Sequence, residues 1–89
     1  MSKKIYRYSL DKRETKIELP SDFEILKVAI RRESELSVWI MLNPEEELTD
    51  SVTFSLIRTN EDVPLGMEYL DTIEVEETDF IYHVFVKLN

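Results

Sequence analysis

Cysteine is absent from this chain, and glycine and histidine each occur once. Without thiols there is no disulfide framework and no thiolate zinc site, so nothing here requires an oxidising compartment. One glycine cannot build a phosphate loop, a Gly-x-Ser-x-Gly nucleophile turn or a dinucleotide-binding turn, each of which needs a backbone free of side chains at fixed spacings. The lone histidine, His83, has no second imidazole or thiol with which to share a metal ion. Apolar runs are short as well. None approaches the ~18 residues of a membrane helix, and Met1-Ser2-Lys3-Lys4-Ile5-Tyr6-Arg7 is a basic start with no signal-peptide core behind it. Cations are the scarcer charge: Lys+Arg number 11 against 19 Asp+Glu, a formal net charge of −8. That balance disfavours direct nucleic-acid binding, which depends on neutralising phosphates, and favours basic partners.

What the chain does have is a folding composition. It is 43% hydrophobic and 34% charged over 89 residues, enough apolar surface for one modest core and too little length for two. A single domain over residues 1–89 is expected. Phe80-Ile81-Tyr82-His83-Val84-Phe85-Val86 is an unbroken aromatic and β-branched run that reads as a buried strand. Tyr6, Tyr8 and Leu10 alternate with Ile5, Arg7 and Ser9. Thr15, Ile17 and Leu19 alternate with Lys16 and Glu18 up to Pro20, so the two segments predict a hairpin turned at Asp11-Lys12-Arg13-Glu14. Residues 21–32 read in two ways: Ser21 with Glu24 has the form of a helix capping box, whereas Leu26, Val28 and Ile30 alternate as a strand with two largely apolar faces. The strand is the preferred reading.

Leu36-Ser37-Val38-Trp39-Ile40-Met41-Leu42 is nearly all apolar and stops at Asn43-Pro44, as a central strand would. Trp39 and Met41 share one face of it, opposite Val38, Ile40 and Leu42, and form a candidate apolar contact if that face is wet. The segment 45–50 predicts an acidic loop or at most one helical turn. Val52, Phe54, Leu56 and Arg58 mark a further strand, and residues 67–75 alternate as another. Strands about ten residues apart joined by polar turns predict an all-β fold, a small antiparallel β-sandwich or partly open barrel of six to seven strands.

Catalysis finds no support in this inventory. Serines and a histidine are present without the turns that activate them, and the paired acids sit in polar turns where solvation keeps them ordinary. No enzyme activity, cofactor or metal site is expected; the acids at 45–50 and 76–79 lack the spaced ligands and glycine of a calcium loop. His83, inside a strand run, is expected as a satisfied structural histidine.

Charge asymmetry is the more informative feature. Residues 1–20 carry six cations against three acids, a net of +3, whereas residues 43–79 carry twelve acids against Arg58 alone, a net of −11. Such acids keep a small apolar-rich protein soluble, or they form a recognition face for a basic partner, where complementary charge speeds association.

Several short motifs, taken together, resemble a family of small bacteriophage proteins. They are Lys4-Ile5-Tyr6-Arg7-Tyr8, Ile17-Glu18-Leu19-Pro20, Ile25-Leu26-Lys27-Val28, Val38-Trp39 with Asn43-Pro44, Phe54 with Thr59, Tyr69-Leu70-Asp71-Thr72 and Tyr82-His83-Val84-Phe85. They span almost the whole chain. The sequence departs from the family after Thr59, where Asn60-Glu61-Asp62 stands in a region expected to carry glycine. The resemblance implies no activity, cofactor or catalytic residue. It does favour an extended reading of residues 25–31, and it implies a phage accessory protein working in the cytoplasm of an infected bacterium.

The favoured expectation is therefore binding, with inhibition or redirection of a host protein that has a basic surface. Its contacts would be Glu45, Glu46, Glu47, Asp50, Glu61, Asp62, Glu76, Glu77 and Asp79. A second expectation is a sponge for an anionic nucleotide signal, held by Tyr6, Arg7, Tyr8, Lys12, Arg13 and His83, with dimerisation an option. A third is a structural protein that self-associates through exposed strand edges.

Overall fold

Alternation of β-branched and aromatic residues with polar ones, interrupted by charged or proline-containing turns, produces seven antiparallel strands among the described residues. The coordinates, a computed structural model, describe residues 2–31, 35–75 and 78–89. The strands are β1 (Lys4–Ser9), β2 (Glu14–Leu19), β3 (Glu24–Ile30), β4 (Leu36–Leu42), β5 (Asp50–Arg58), β6 (Glu68–Glu74) and β7 (Ile81–Leu88). They form a three-stranded sheet in the order β1-β4-β3 and a four-stranded sheet in the order β2-β5-β7-β6, packed as a small β-sandwich. Residues 21–31 contain strand β3 and no helix, and residues 44–49 form a connection that turns at Pro44 and Glu45.

The hairpin expected from β1 and β2 does not form, because the two strands belong to different sheets. Leu10 explains the difference. It is 2% exposed, its N–H donates to Leu36 O at the end of the β1–β4 ladder, and by Arg13 the chain has joined the other sheet, Arg13 O accepting from Leu56 N. A buried leucine in the middle of the turn pulls the chain across the core, which a solvent-exposed hairpin turn would not do. Residues 20–23 and 43–49 cross in the same way, with Pro20 and Asn43 buried at the corners.

The core lies between the sheets. Val38, Ile40 and Leu42 of β4 face Val52 and Phe54 of β5 and Val84 of β7, with Ile17, Leu19 and Val28 completing the layer. Trp39 and Met41 lie on the outer side of β4 and are half-buried.

Two β-bulges correct the alternation read from the sequence. In β3 the register shifts between Ile25 and Lys27, so Ile25 and Val28 both face inward while Leu26, 42% exposed, is the inserted residue. In β6 the shift falls between Tyr69 and Asp71, which sends Leu70 and Ile73 to the core although their numbers differ in parity. A bulge adds one residue to one strand and reverses the facing of everything beyond it, which is why both faces of 25–30 looked apolar. The two bulges face one another where the edge strands β3 and β6 meet.

Candidate functional site

Pairing register sorts the sandwich into two ends. Asp50 of β5, Glu68 of β6, Leu88 of β7 and Leu42 of β4 lie at one end; Arg58, Glu74, Ile81 and Leu36 lie at the other. Along β5 these ends are about 26 Å apart at ~3.3 Å per residue.

The acids expected to form one face divide between the ends. Glu45, Glu46 and Glu47 are exposed on the β4–β5 connection, next to half-buried Asp50. Asn43 shapes that turn, its Oδ1 accepting from Glu45 N at 3.0 Å and its carbonyl from Glu46 N at 3.2 Å. Asp79 precedes β7 at the opposite end, and Glu61 and Asp62 begin the connection that leaves Arg58. Glu76 and Glu77 lie outside the described residues. Glu61 is occupied internally: one carboxylate oxygen accepts Arg58 N–H at 2.7 Å and the other pairs with Arg13 Nη2 at 2.9 Å. The backbone hydrogen bond first, then the Arg13 bond, hold the Glu61 carboxyl below the usual glutamate pKa.

An apolar cleft opens between the sheets at the end that carries the acidic turn. Phe23, Ile25, Val52, Val86 and Leu88 line a cavity of about 390 Å³, with Glu68 and Lys87 at its edge. Three leucines stand exposed at this end, Leu48 at 63%, Leu65 at 95% and Leu88 at 61%. No sequence signal marked the cleft, since its lining comes from separate strands and alternates like ordinary core.

Of the residues expected to hold an anion, only Lys12 and Arg13 converge. They line a cavity of about 450 Å³ at the other end, together with Leu10, Leu36, Arg58 and Tyr82. Arg7 instead lies on the outer face of the three-stranded sheet, where it donates to Glu35 at 3.0 Å and to Ser37 Oγ at 3.0 Å. Tyr8 packs against the core, and its pKa is raised by burial and, secondarily, by Tyr6. Tyr6 stays on the edge strand beside it, 37% exposed. Arg58 and Tyr82 were missed; the signal available was that Arg58 is the lone cation within residues 43–79.

His83 projects from the outer face of the four-stranded sheet. Its Nδ1 lies 3.1 Å from Thr72 Oγ1 and its Nε2 lies 3.0 Å from Thr59 Oγ1, while Tyr69 OH is 2.7 Å from Thr72 Oγ1. A neutral imidazole donates through one nitrogen and accepts through the other, and each threonine hydroxyl serves either role, so the ring is fully satisfied. This matches the structural reading of His83. The segment 59–67 must carry the chain from one flank of β7 to the other, because β5 and β6 lie on opposite sides of it. It runs over the outer face as a strap, bordering an open gap of about 200 Å³ lined by Ile57, Val63, Tyr69, His83 and Phe85. Ile57 is 4% exposed under it although it faces away from the main core. Asn60 starts the strap with φ of 75° and Gly66 ends it with φ of 81°. Asparagine tolerates the left-handed region better than most side chains, which accounts for Asn60 where glycine was expected.

Among the described residues there is no helix long and apolar enough to cross a membrane, and no group of three or more metal-ligating side chains. No curated protein and no solved structure matches the chain. A family model described as "Domain of unknown function (DUF7352)" matches residues 1–89.

Proposed function

The chain belongs to that family of unknown function, and from the end carrying the acidic turn we propose that it acts by binding a protein, without catalysis. The observation that carries this reading is an open apolar cleft, lined by Phe23, Ile25, Val52, Val86 and Leu88, at the same end of the sandwich as the exposed carboxylates Glu45, Glu46 and Glu47. An uncovered apolar cleft gains from burial, and the surrounding charge selects what buries it. The matching partner is a protein segment that inserts an apolar side chain flanked by Lys or Arg. Lys4 and Lys87 also lie at this end, but the acids outnumber them. The resemblance to phage proteins supports a host protein as the partner, with inhibition or redirection as the consequence.

Capture from bacterial lysate, followed by direct binding measurements on the recovered protein, tests the reading. Wild type should retain a partner that Glu45→Lys/Glu46→Lys/Glu47→Lys and Leu88→Asp each release. Binding should also weaken as salt rises, since exposed charges are screened over ~8 Å at physiological ionic strength. A partner that stays bound to both variants sinks the proposal.

A further inference from the structure

We propose that the opposite end of the sandwich is a second binding site, for a nucleoside phosphate. In a protein of net charge −8, this end gathers Lys12, Arg13 and Arg58 around one cavity of about 450 Å³. That volume falls in the range of small-ligand sites, ~300–1,000 Å³. Its floor is apolar: Leu10 is 2% and Leu36 5% exposed, and Leu56 is half-buried beside them. Tyr82 forms a wall.

Arg58 is held ready for an anion. Its guanidinium sits 4.6 Å from the Phe80 ring centroid and 5.7 Å from that of Tyr82, and the two rings are nearly parallel, 19° apart. These cation–π contacts hold the guanidinium without a carboxylate partner, and its N–H groups can bind phosphate oxygens in pairs. Arg58 and Lys12 form no ion pair with any carboxylate among the described residues. The remaining charges of the cavity itself are largely committed. Arg13 is paired with Glu61, and Glu35 on the cavity wall is taken by Arg7 at 3.0 Å and Arg31 at 3.7 Å, leaving Asp11 as the uncompensated acid of the lining. The acidic turn, about 26 Å away along β5, lies about three screening lengths off at physiological salt.

Two unpaired cations match the two charges of a phosphate monoester better than the single charge of a carboxylate. The apolar floor with the Tyr82 ring gives a planar base a surface on which to stack. Those features together select a nucleoside phosphate over a bare anion or an uncharged aromatic.

Isothermal titration calorimetry of the full chain with AMP, GMP and inorganic phosphate tests the site. At least one nucleotide should bind saturably and more tightly than phosphate. Lys12→Ala and Arg58→Ala should each weaken that binding at least tenfold, and Glu18→Ala, exposed on β2 and outside both sites, should leave it unchanged. Arg58 also packs on two rings, so Lys12→Ala, an exposed position whose urea midpoint should not move, is the decisive variant. Absence of heat with both nucleotides, equal binding of phosphate alone, or unchanged affinity in Lys12→Ala would each overturn the assignment.

Discussion

Ile57 faces away from the sandwich core, yet the strap at 59–67 leaves it 4% exposed, and its truncation measures what the strap contributes. On an uncovered sheet face, Ile57→Ala would change stability by no more than about 0.5 kcal/mol. For a covered isoleucine the loss is about 2–5 kcal/mol, made of lost transfer free energy and the cavity left behind. The strap already leaves an open gap of about 200 Å³ and is a loop able to settle inward, which places Ile57 in the lower half of that range, about 2–3 kcal/mol. Against a total of roughly 5–15 kcal/mol this is a large fraction. It corresponds to a drop of roughly 8–24 °C in Tm for a domain of this size. Urea unfolding followed by Trp39 fluorescence and far-UV circular dichroism gives the free energy directly, with unchanged m-values expected. Leu65→Ala, at 95% exposure on the same strap, is the control and should stay within about 0.5 kcal/mol of wild type. Equal, small effects of the two substitutions would refute the covering role of the strap.

Two further predictions concern how the strap is fastened. Glu61 has its pKa lowered in the fold from about 4.5, so its contribution is fully present above that value and is lost as pH falls through the folded value. Glu61→Gln should therefore cost stability near neutrality and show a shallower decline below about pH 4.5, read from urea midpoints across that range; a parallel decline would show that Glu61 does not couple to the fold. Asn60→Gly should be nearly neutral while Asn60→Ala destabilises by about 1 kcal/mol, because alanine resists φ of 75°; equal midpoints for the two variants would contradict that backbone geometry.

The strands were legible because their apolar periods are local. Neighbours two residues apart carry the alternation along β1 and β5, short continuous apolar runs mark β4 and β7, and Asn43 with Pro44 ends β4. The bulges were not legible. A single inserted residue at Leu26 or Leu70 changes parity only through pairing with β4 or β7, which no local pattern encodes. Nor was the crossing at Leu10, since a leucine ending a strand looks alike whether the chain folds back or passes to a second sheet.

The candidate sites divide in the same way. Composition alone excluded thiol chemistry and glycine-built phosphate loops, and the charge asymmetry between residues 1–20 and 43–79 was plain in the chain. Only the tertiary structure decided where those charges go. It sent Glu45, Glu46 and Glu47 to one end and Asp79 to the other, committed Glu61 to Arg13, and placed Arg58, the lone cation of the acidic segment, beside Lys12. The physical reason is range. Strand formation follows from neighbours within a few residues, whereas a cleft or an anion cavity is built by side chains brought together through sheet register and packing from distant parts of the chain.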